Sequence, residues 1–577
     1  MPAAGAVVTI PAGKTVVLDV TTPALGGLVI MGTLVAKQGA TIGVTAGYVD
    51  VAKGGRLQVG TAAEPFTGTA TFTLTVTSAT TGGIPGMGTK VLAVSDGILD
   101  LHGAPVATNW TKLGVDVTAG ATSITLAQAP GWKAGDRIVI APSTPDQATH
   151  DVATIASITG ATLTLTAPLK YPHFGAVQRA GDVDLDVRAE VGLLTKNILI
   201  TGDESSTSTK VGAHAMFMGA STIRISNTEV TKAGQLNQLG RYPIHFHLMA
   251  NQCTNCSITD SSIHDTIQRG IVVHDTTGVT VDNNVVYNTV GHNITIETAE
   301  TTGNTITNNL ALVNDEPRPR FTEATLLTQR DDEPANYWLD SGRNTVSDNV
   351  AAGSRASGYL YDGITNDPIT FTNNVAHAAM GQESDLVPTD FPLHAALLVI
   401  GNDNDGASSR PPTDNISGLF AYQNSTGFWP EEGGGPFRVK NFLLADNNTP
   451  VQLRCCDNTY VSDSTWVNRL PNGSVNPDSP SDDDGGTVPF NHNISHIQYG
   501  SDVVFERPYF VGYTKLGLAE TDVAPRIASY TITEPRWYGT KPTVEFPERN
   551  TWTIFTDSNL IPAGRYPPGE GFGGPGS

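Results

Sequence analysis

The chain has 577 residues, with 60 glycines, 36 prolines and 16% charged residues. Its formal net charge of −22 at pH 7 argues against nonspecific binding to nucleic acid. No apolar run reaches the roughly 18 residues of a membrane-spanning helix, so we expect no membrane span. Many Val, Ile and Thr residues between glycine-rich turns favour an all-β fold.

Short apolar alternations separated by glycines fill the start of the chain, for example VVTIPAGKTVVLDV and LGGLVIMGTLVA. A period of two predicts strands, and the glycines predict tight corners with positive φ. We assign residues 1–110 to a glycine-rich β module that caps the rest of the protein. Residues 111–190 also combine strand and turn patterns, and we expect a β-rich insert or the first irregular rungs of a solenoid. No signal peptide precedes the first strand pattern, and we expect a secreted protein whose leader lies outside this chain.

The segment from Gly240 to Glu297 contains five of the 13 histidines and repeats itself. An offset of 23 residues, from Arg269 to His292, lays RGIVVHD over HNITIET, and YPIHFHL fits the same frame. Each line alternates apolar and other residues, which is typical of a strand with one buried face. Strands at a fixed spacing, each too small to bury its apolar face alone, predict a stacked parallel solenoid.

Stacked rungs lie about 4.8 Å apart, so corresponding residues form columns. With the isoleucines and valines inside, His247, His274 and Glu297 share one outward column, and His245 lies beside its top. Extending the alignment by one rung places Asp362 directly below Glu297. This alignment treats residues 313–343 as an irregular loop. Arg269 and His292 are then stacked at the start of their strands.

The solenoid pattern continues in NTITNNLAL, NTVSDNVAA and ITFTNNVAH, so we assign residues 191–465 to a parallel β-helix. The recurring Asn-Asn or Asp-Asn predicts turns in which asparagine adopts the left-handed region and stacks as a ladder. Residues 466–577 are assigned to C-terminal rungs, loops and a flexible tail. We expect a disulfide between Cys253 and Cys256, with buried free thiols as the alternative, and Cys455 and Cys456 lack zinc-knuckle spacing.

Several motifs resemble a known family. IPAGKTVVLDV, GYVDVAKGGRLQVGTAAEPF, GWKAGDRIVIAPST, GQLNQLGRYPIHFHL and NVAAGSRASGYLYD are similar to the family of the cell-migration-inducing hyaluronan-binding protein and its transmembrane hyaluronidase-like relative. The resemblance covers roughly residues 5 to 365 with gaps. It implies a right-handed parallel β-helix headed by an eight-glycine domain. It also implies depolymerisation of hyaluronan or a related glycosaminoglycan, although some relatives bind without cleaving.

The column offers the groups that polysaccharide cleavage needs. Imidazoles and two carboxyl groups on one face can act as general acid and base, and arginine can bind a sugar carboxylate with two hydrogen bonds. The predicted catalytic residues are His247, His274, Glu297, Asp362 and His245. The predicted substrate-binding residues are Arg241, Arg269, His292, Arg343 and Tyr242. The expected partner is an anionic, hyaluronan-like polysaccharide.

Three alternatives stay open at this stage. No cofactor is certain from the sequence. His245, His247, His274 and Glu297 also suit a divalent metal such as Zn²⁺, because an H-x-H pair on a strand points both imidazoles one way. Ca²⁺ would prefer the oxygen ligands of Glu297 and Asp362. A polysaccharide lyase could use an arginine and a histidine for β-elimination, and a carbohydrate-binding or adhesion protein would use the same face without cleavage.

The remaining acidic and histidine positions have ordinary structural explanations. His264 is expected beside Tyr287 at a turn. Asp265 and Asp275 are expected to cap turns rather than to catalyse. His102, His150 and His173 are scattered in the early part of the chain, and we expect structural roles for them.

Overall fold

The computed structural model describes the chain outside a set of segments that are not considered further. These segments are residues 77–82, 254, 320–321, 323–329, 365–367, 381–393, 402–415, 432–436, 453–458, 473–489, 493–501, 514, 521–528, 540–542, 546–552 and 556–577. Cys455, Cys456, residues 473–489 and the predicted C-terminal tail therefore lie outside the described residues.

Within the described residues the chain winds through three long parallel sheets, which we call sheets 1, 2 and 3. Sheet 1 has 13 described strands: Val7–Ile10, Gly27–Ile30, Tyr48–Val51, Val91–Ser95, His214–Met218, Ile244–Ala250, Ile271–Thr276, Ile294–Glu297, Tyr337–Leu339, Tyr359–Ile364, Leu397–Gly401, Thr426–Glu431 and Thr449–Val451. Sheet 2 has 16 described strands: Thr15–Leu18, Thr33–Ala36, Arg56–Val59, Ile98–His102, Thr222–Ser226, Ser257–Thr259, Thr280–Asp282, Thr305–Thr307, Thr345–Ser347, Thr370–Thr372, Ile416–Ser417, Phe437–Lys440, Thr459–Ser462, Asp502–Glu506, Ser529–Thr533 and Thr553–Phe555. Sheet 3 has 14 described strands: Thr41–Ala46, Thr69–Leu74, Ile198–Gly202, Thr228–Thr231, Ser262–His264, Val285–Val290, Leu310–Asp315, Val350–Ser354, Val375–Ala379, Phe420–Tyr422, Leu443–Ala445, Thr465–Val467, Tyr509–Val511 and Arg536–Tyr538.

The three sheets enclose one continuous apolar core. Ile271 and Val273 point into it and are fully buried, as are the residues stacked on them, Ile294 and Ile296. Alternation along each strand places one set of side chains inside and leaves the other set on the outer face. The predicted all-β parallel β-helix is confirmed.

The glycine-rich start of the chain forms the first rungs of the same solenoid. The strand Val91–Ser95 pairs in parallel with His214–Met218, and Ile98–His102 pairs in parallel with Thr222–Ser226. Thr69–Leu74 pairs in the same way with Ile198–Gly202. The expected module at 1–110 therefore shares all three sheets and the core with the segment that follows residue 190.

A six-stranded antiparallel sheet lies outside the solenoid. Its strands are Trp110–Lys112, Glu190–Leu193, Arg137–Ile140, Asp151–Thr159, Thr162–Leu165 and Ser123–Thr125. Val139 of this sheet, and Leu194 directly after its strand Glu190–Leu193, pack on Val285 and Leu310 of sheet 3. The antiparallel sheet thereby covers the outer face of sheet 3 at these rungs. Within the described residues it does not cover the outer face of sheet 1 there.

A few described elements stand apart from these four sheets. Gln178–Ala180 pairs with Val183–Leu185 as a two-stranded sheet, and Phe490–His492, Lys515–Glu520 and Thr543–Glu545 form a three-stranded one. The described helices are a 3₁₀ turn at Gln147–Thr149 and an α-helical turn at Ser206–Thr209. In the described part of the chain no helix is long and apolar enough to cross a membrane.

The corner between sheets 2 and 3 carries the predicted asparagine ladder, which runs over successive rungs. The amide oxygens of Asn309, Asn349 and Asn374 accept from the backbone N–H and the side-chain amide of the asparagine one rung earlier, starting at Asn284. The residue before each ladder asparagine has a positive φ, as expected for a left-handed turn. The disulfide between Cys253 and Cys256 is also present.

The alignment of the last site rung was wrong. The strand Tyr337–Leu339 lies in sheet 1 between Ile294–Glu297 and Tyr359–Ile364, inside a segment predicted to be a loop. Asp362 is therefore two rungs from Glu297 instead of one. The prediction failed because all three residues of the inserted strand are bulky and buried, so no polar alternation reveals it.

Candidate functional site on the outer face of sheet 1

The outer face of sheet 1 carries a column of ionisable residues. His247 is paired in register with His274, and His274 with Glu297. This part of the column is as predicted. Because adjacent strands lie about 4.8 Å apart, the three side chains follow one another at that spacing.

Asp340 is the column member that the sequence prediction missed. It follows Leu339, which pairs with Ile296 on one side and Tyr361 on the other, so it lies between Glu297 and Asp362. Burial, and after it the charges of Asp362 and Glu297, raise the pKa of Asp340 to about 7. The column therefore runs His247, His274, Glu297, Asp340, Asp362, with a carboxyl group that holds its proton near neutral pH.

Three of the histidines form a compact cluster at the top of the column. The ring centroids of His245 and His247 are 4.7 Å apart, and the rings of His245 and His274 are stacked at 5.8 Å. The Nδ1 atoms of His247 and His274 lie 3.3 Å apart. Burial, and then the neighbouring His274, lower the pKa of His247, which favours its neutral form.

A pocket of about 290 Å³ opens onto this cluster. His245, His247, His274 and Glu297 line one side of it, and Tyr242 borders it. The pocket is also lined by Pro85, Gly86 and Met87 from the glycine-rich region, and by Met216, Met218, Leu239 and Gly240. The two regions that the sequence separates thus build one pocket together.

Arg269 is not available to a ligand on the surface, contrary to its predicted role in substrate binding. Its side chain is fully buried and forms a two-point ion pair with Asp331, with Nε 2.7 Å from Oδ1. Burial disfavours the charge of Arg269, but Asp331 outweighs this effect and raises its pKa. The guanidinium also lies 3.6 Å from the Glu297 carboxylate and 5.2 Å from the Tyr242 ring. Arg269 therefore contacts Glu297 from the buried side of the column, as an ion-pair partner and not as a ligand-binding group.

His292 and Tyr242, two other predicted substrate-binding residues, are also buried. The His292 ring stacks on Trp338 at 5.4 Å, and its Nδ1 accepts from the Ala335 backbone N–H at 2.9 Å. Tyr242 packs edge-on against His245 at 4.8 Å. His292 therefore packs behind the column, whereas Tyr242 lines the pocket.

The other predicted arginines lie away from the pocket lining. Arg241 donates to the Gln235 side chain at 2.7 Å. Arg343 is exposed beside the sheet 2 strand that starts at Thr345. The arginine that does reach the column is Arg330, whose Nε lies 3.2 Å from Oδ2 of Asp362 and whose side chain is 33% exposed. The sequence before Arg330 does not repeat, so periodicity gave no signal for it.

The remaining histidines have structural partners. His264 pairs in register with Tyr287, as predicted, and bonds to Asp265 at 2.9 Å and Glu229 at 3.2 Å. Burial disfavours its charge, but these two carboxylates raise its pKa. His102, His150 and His173 contact Ser226, Tyr287 and Asp151 respectively. Asp265 lies in a bend, as expected for a turn residue, whereas Asp275 lies within the strand Ile271–Thr276, and both have a positive φ.

These features define the class: a parallel β-helix protein with a histidine and carboxyl column on one outer face. Residues 1–114 match the G8 domain, and residues 210–389 match the CEMIP beta-helix. Fibrocystin-L of Mus musculus is 31% identical over 505 residues, and Fibrocystin-L of Homo sapiens is 34% identical over 504 residues. The chain belongs to the family that joins a G8 domain to a CEMIP β-helix, which confirms the family resemblance noted in the sequence.

These matches cover 78% and 77% of this chain but only 12% of each Fibrocystin-L. A G8 domain-containing protein of Dictyostelium discoideum is 29% identical over 395 residues, which are 65% of this chain and 25% of that protein. Among solved structures, the tailspike protein gp49 from Pseudomonas phage LKA1 aligns with 96% of this chain and 75% of its own at 12% identity and a TM-score of 0.23. At that TM-score the likeness supports no conclusion about fold or function.

Proposed function

We propose that this protein is a secreted enzyme that binds a polysaccharide along the outer face of sheet 1 and cleaves it by acid–base chemistry, with hyaluronan or a related glycosaminoglycan as substrate. The observation that carries the proposal is the column of three carboxyl groups on consecutive rungs, Glu297, Asp340 and Asp362. An extended polymer matches a flat face whose groups repeat at a fixed spacing. The family membership, with its CEMIP β-helix, supports the same assignment.

The carboxyl groups differ in the way that glycoside cleavage requires. Asp340 keeps its proton up to about pH 7 and is assigned as the general acid. Glu297, held beside the Arg269 guanidinium at 3.6 Å, is assigned as the nucleophile or base. Glycosidases place the two groups about 5 Å apart for retention and about 6.5–9.5 Å apart for inversion. Adjacent rungs suit the first spacing, so the pair of Glu297 and Asp340 favours retention.

Asp362 and Arg330 extend the site toward an acidic sugar. Asp362 accepts from Arg330 and also from the Trp338 indole N–H at 3.3 Å. A sugar carboxylate that approaches this end meets a partly exposed guanidinium, which favours two-point binding. Trp338 itself is buried, so its indole N–H anchors the Asp362 carboxylate from the protein side. Arg330 therefore replaces Arg269 as the proposed contact for the uronate.

The test is digestion of hyaluronan, chondroitin, pectin and alginate by the full chain. Chain length is followed by size-exclusion chromatography, with assays for new reducing ends and for the ultraviolet absorbance of unsaturated uronate. We expect shorter hyaluronan or chondroitin chains with new reducing ends and no such absorbance. Growth of the absorbance would instead identify a β-eliminating lyase. Binding to a polymer that never shortens would identify a carbohydrate-binding protein and refute the enzymatic proposal.

Variants locate the activity on the column. Glu297→Gln and Asp340→Asn keep the shape of each side chain and remove its acid–base function, so we expect loss of cleavage with binding retained. Glu204→Gln is the matched control, because the Glu204 side chain is 95% exposed and pairs with Lys232 far from the column. Equal loss of cleavage in the control and the site variants would place the chemistry elsewhere.

A further inference from the structure

One buried imidazole at the pocket has a nitrogen without a hydrogen-bond partner. His245 is 1% exposed, and its Nδ1 lies 2.8 Å from the Gly240 carbonyl oxygen. A carbonyl oxygen only accepts, so Nδ1 carries the proton and Nε2 keeps a free lone pair. Among the described residues nothing donates a hydrogen bond to this Nε2. Burial of an acceptor without a donor is unfavourable, so a bound group that fills this position would stabilise it.

A proton fixed on one ring nitrogen by a backbone carbonyl is the arrangement that prepares a histidine as a metal ligand. The hydrogen bond from Nδ1 sets the tautomer and the ring orientation, and it leaves Nε2 to bind the ion. His245 also lies on the pocket wall, beside His247 and His274. The nitrogen with the free lone pair thus belongs to an imidazole that lines the same pocket as two others.

The spacing of the three side chains fits one ion. In a tetrahedral zinc site, with Zn–N distances of about 2.0–2.1 Å, two ligand nitrogens lie roughly 3.3–3.4 Å apart. The Nδ1 atoms of His247 and His274 are 3.3 Å apart. One nitrogen from each of the three histidines falls within 4.8 Å of the others. Small rotations of the partly exposed His247 and His274 side chains close the remaining gap.

We propose that His245, His247 and His274 bind one Zn²⁺ ion and leave its fourth coordination position open to the pocket. Three imidazole nitrogens are a ligand set that zinc prefers, and an open position is typical of zinc sites that act on a bound molecule. Glu297 is not one of the converging ligands, because it sits beside Arg269. Ca²⁺ does not fit, since it takes six to eight oxygen ligands. This site is independent of the proposed polysaccharide cleavage.

The experiment measures metal directly on the full chain. The protein is stripped with a chelator, dialysed, and titrated with ZnCl₂ or CaCl₂ by calorimetry, and bound metal is counted by mass spectrometry. We expect one Zn²⁺ per chain and no Ca²⁺ at this site. His274→Gln should weaken zinc binding by more than the roughly 10- to 100-fold that loss of an outer partner costs. The control His102→Gln removes a buried imidazole that bonds to Ser226 in sheet 2, and should bind zinc like the unaltered chain.

Binding below one tenth of an equivalent in the unaltered chain, or equal loss in both variants, would overturn the proposal and leave a hydrogen-bonded histidine trio only. If His274→Gln fails to fold, Co²⁺ added to the unaltered chain decides the question. Strong visible absorption bands, typical of four-coordinate cobalt, support the site. A pale six-coordinate spectrum, or no bound cobalt, refutes it. Neither readout depends on polymer cleavage, so failure of the enzymatic proposal would not affect it.

Discussion

Asp340 lies between two other carboxyl groups, and its protonation is the residue-scale feature on which the proposed chemistry depends. With a pKa raised to about 7 by burial and by Asp362 and Glu297, it serves as a general acid only below that pH. We expect kcat to fall about tenfold per pH unit above roughly pH 7. Asp340→Asn should lower cleavage by about 10²- to 10⁴-fold. A pH profile of hyaluronan cleavage measures both, and an unchanged alkaline limb would contradict the assignment.

The same group also makes the stability of the folded chain depend on pH. The pKa of Asp340 is higher in the folded chain than its ordinary value of 3.8, so the folded state binds the proton more tightly. Its contribution favours folding at acid pH and is lost as the pH rises from about 4 to about 7. Asp340→Asn cannot ionise and should be more stable than the unaltered chain by about 2–4 kcal/mol at pH 8. Thermal midpoints at about pH 5 and pH 8 test this, because the difference should grow with pH.

The ion pair between Arg269 and Asp331 allows the contribution of a buried ion pair to stability to be measured. Arg269→Met leaves Asp331 without its two-point partner in a fully buried position. We expect a loss of about 3–5 kcal/mol, because an unpaired buried carboxylate is costly. The double variant Arg269→Met with Asp331→Leu should recover most of that loss. Thermal midpoints of the single and double variants, measured together, decide whether the loss comes from the unpaired charge of Asp331 or from lost packing.

Among structural elements, the asparagine ladder fixes the turn between sheets 2 and 3. Asn309 donates to the Val281 carbonyl at 2.8 Å and to Asn349, and it accepts from Asn284. Asn309→Ala leaves several buried polar groups without partners, so we expect a loss of about 2–4 kcal/mol. The neighbouring control Asn308→Gly keeps the positive φ and should change the thermal midpoint little. Equal effects of the two would show that the ladder adds no stability.

The strands around Ile271 and Ile294 were predictable because a two-residue alternation repeats at a fixed offset. The strand at Tyr337 was not, because Trp338 points outward yet is buried beside His292 and Arg269. Likewise, nothing in the repeat indicates that Asp331 folds over Arg269. The sequence repeat predicts which residues share a column. It does not predict whether an outward residue is buried, because that depends on segments that do not repeat.

At the scale of the whole molecule, the glycine-rich region is the first part of one stacked solenoid. Removing residues 1–103 would expose the edges of the strands at Ile198, His214 and Thr222 together with apolar core. Unpaired strand edges promote association, so we expect the shortened chain to aggregate. Removing residues 565–577, the predicted tail, is the control. Light scattering and thermal unfolding compare the two, and a monomeric shortened chain with an unchanged midpoint would contradict the prediction.

The rung at Tyr337–Leu339 has an evolutionary consequence. A solenoid accepts or loses a whole rung without disturbing the strands on either side, because each rung contacts only its neighbours. Loss of this rung would bring Asp362 next to Glu297 and would remove Asp340 at the same time. Insertions and deletions of one rung therefore change both the identity and the separation of the acidic pair in steps of about 4.8 Å. Proteins with this fold can thus change between retention and inversion by gaining or losing one rung. Every histidine of the column stays in place when they do so.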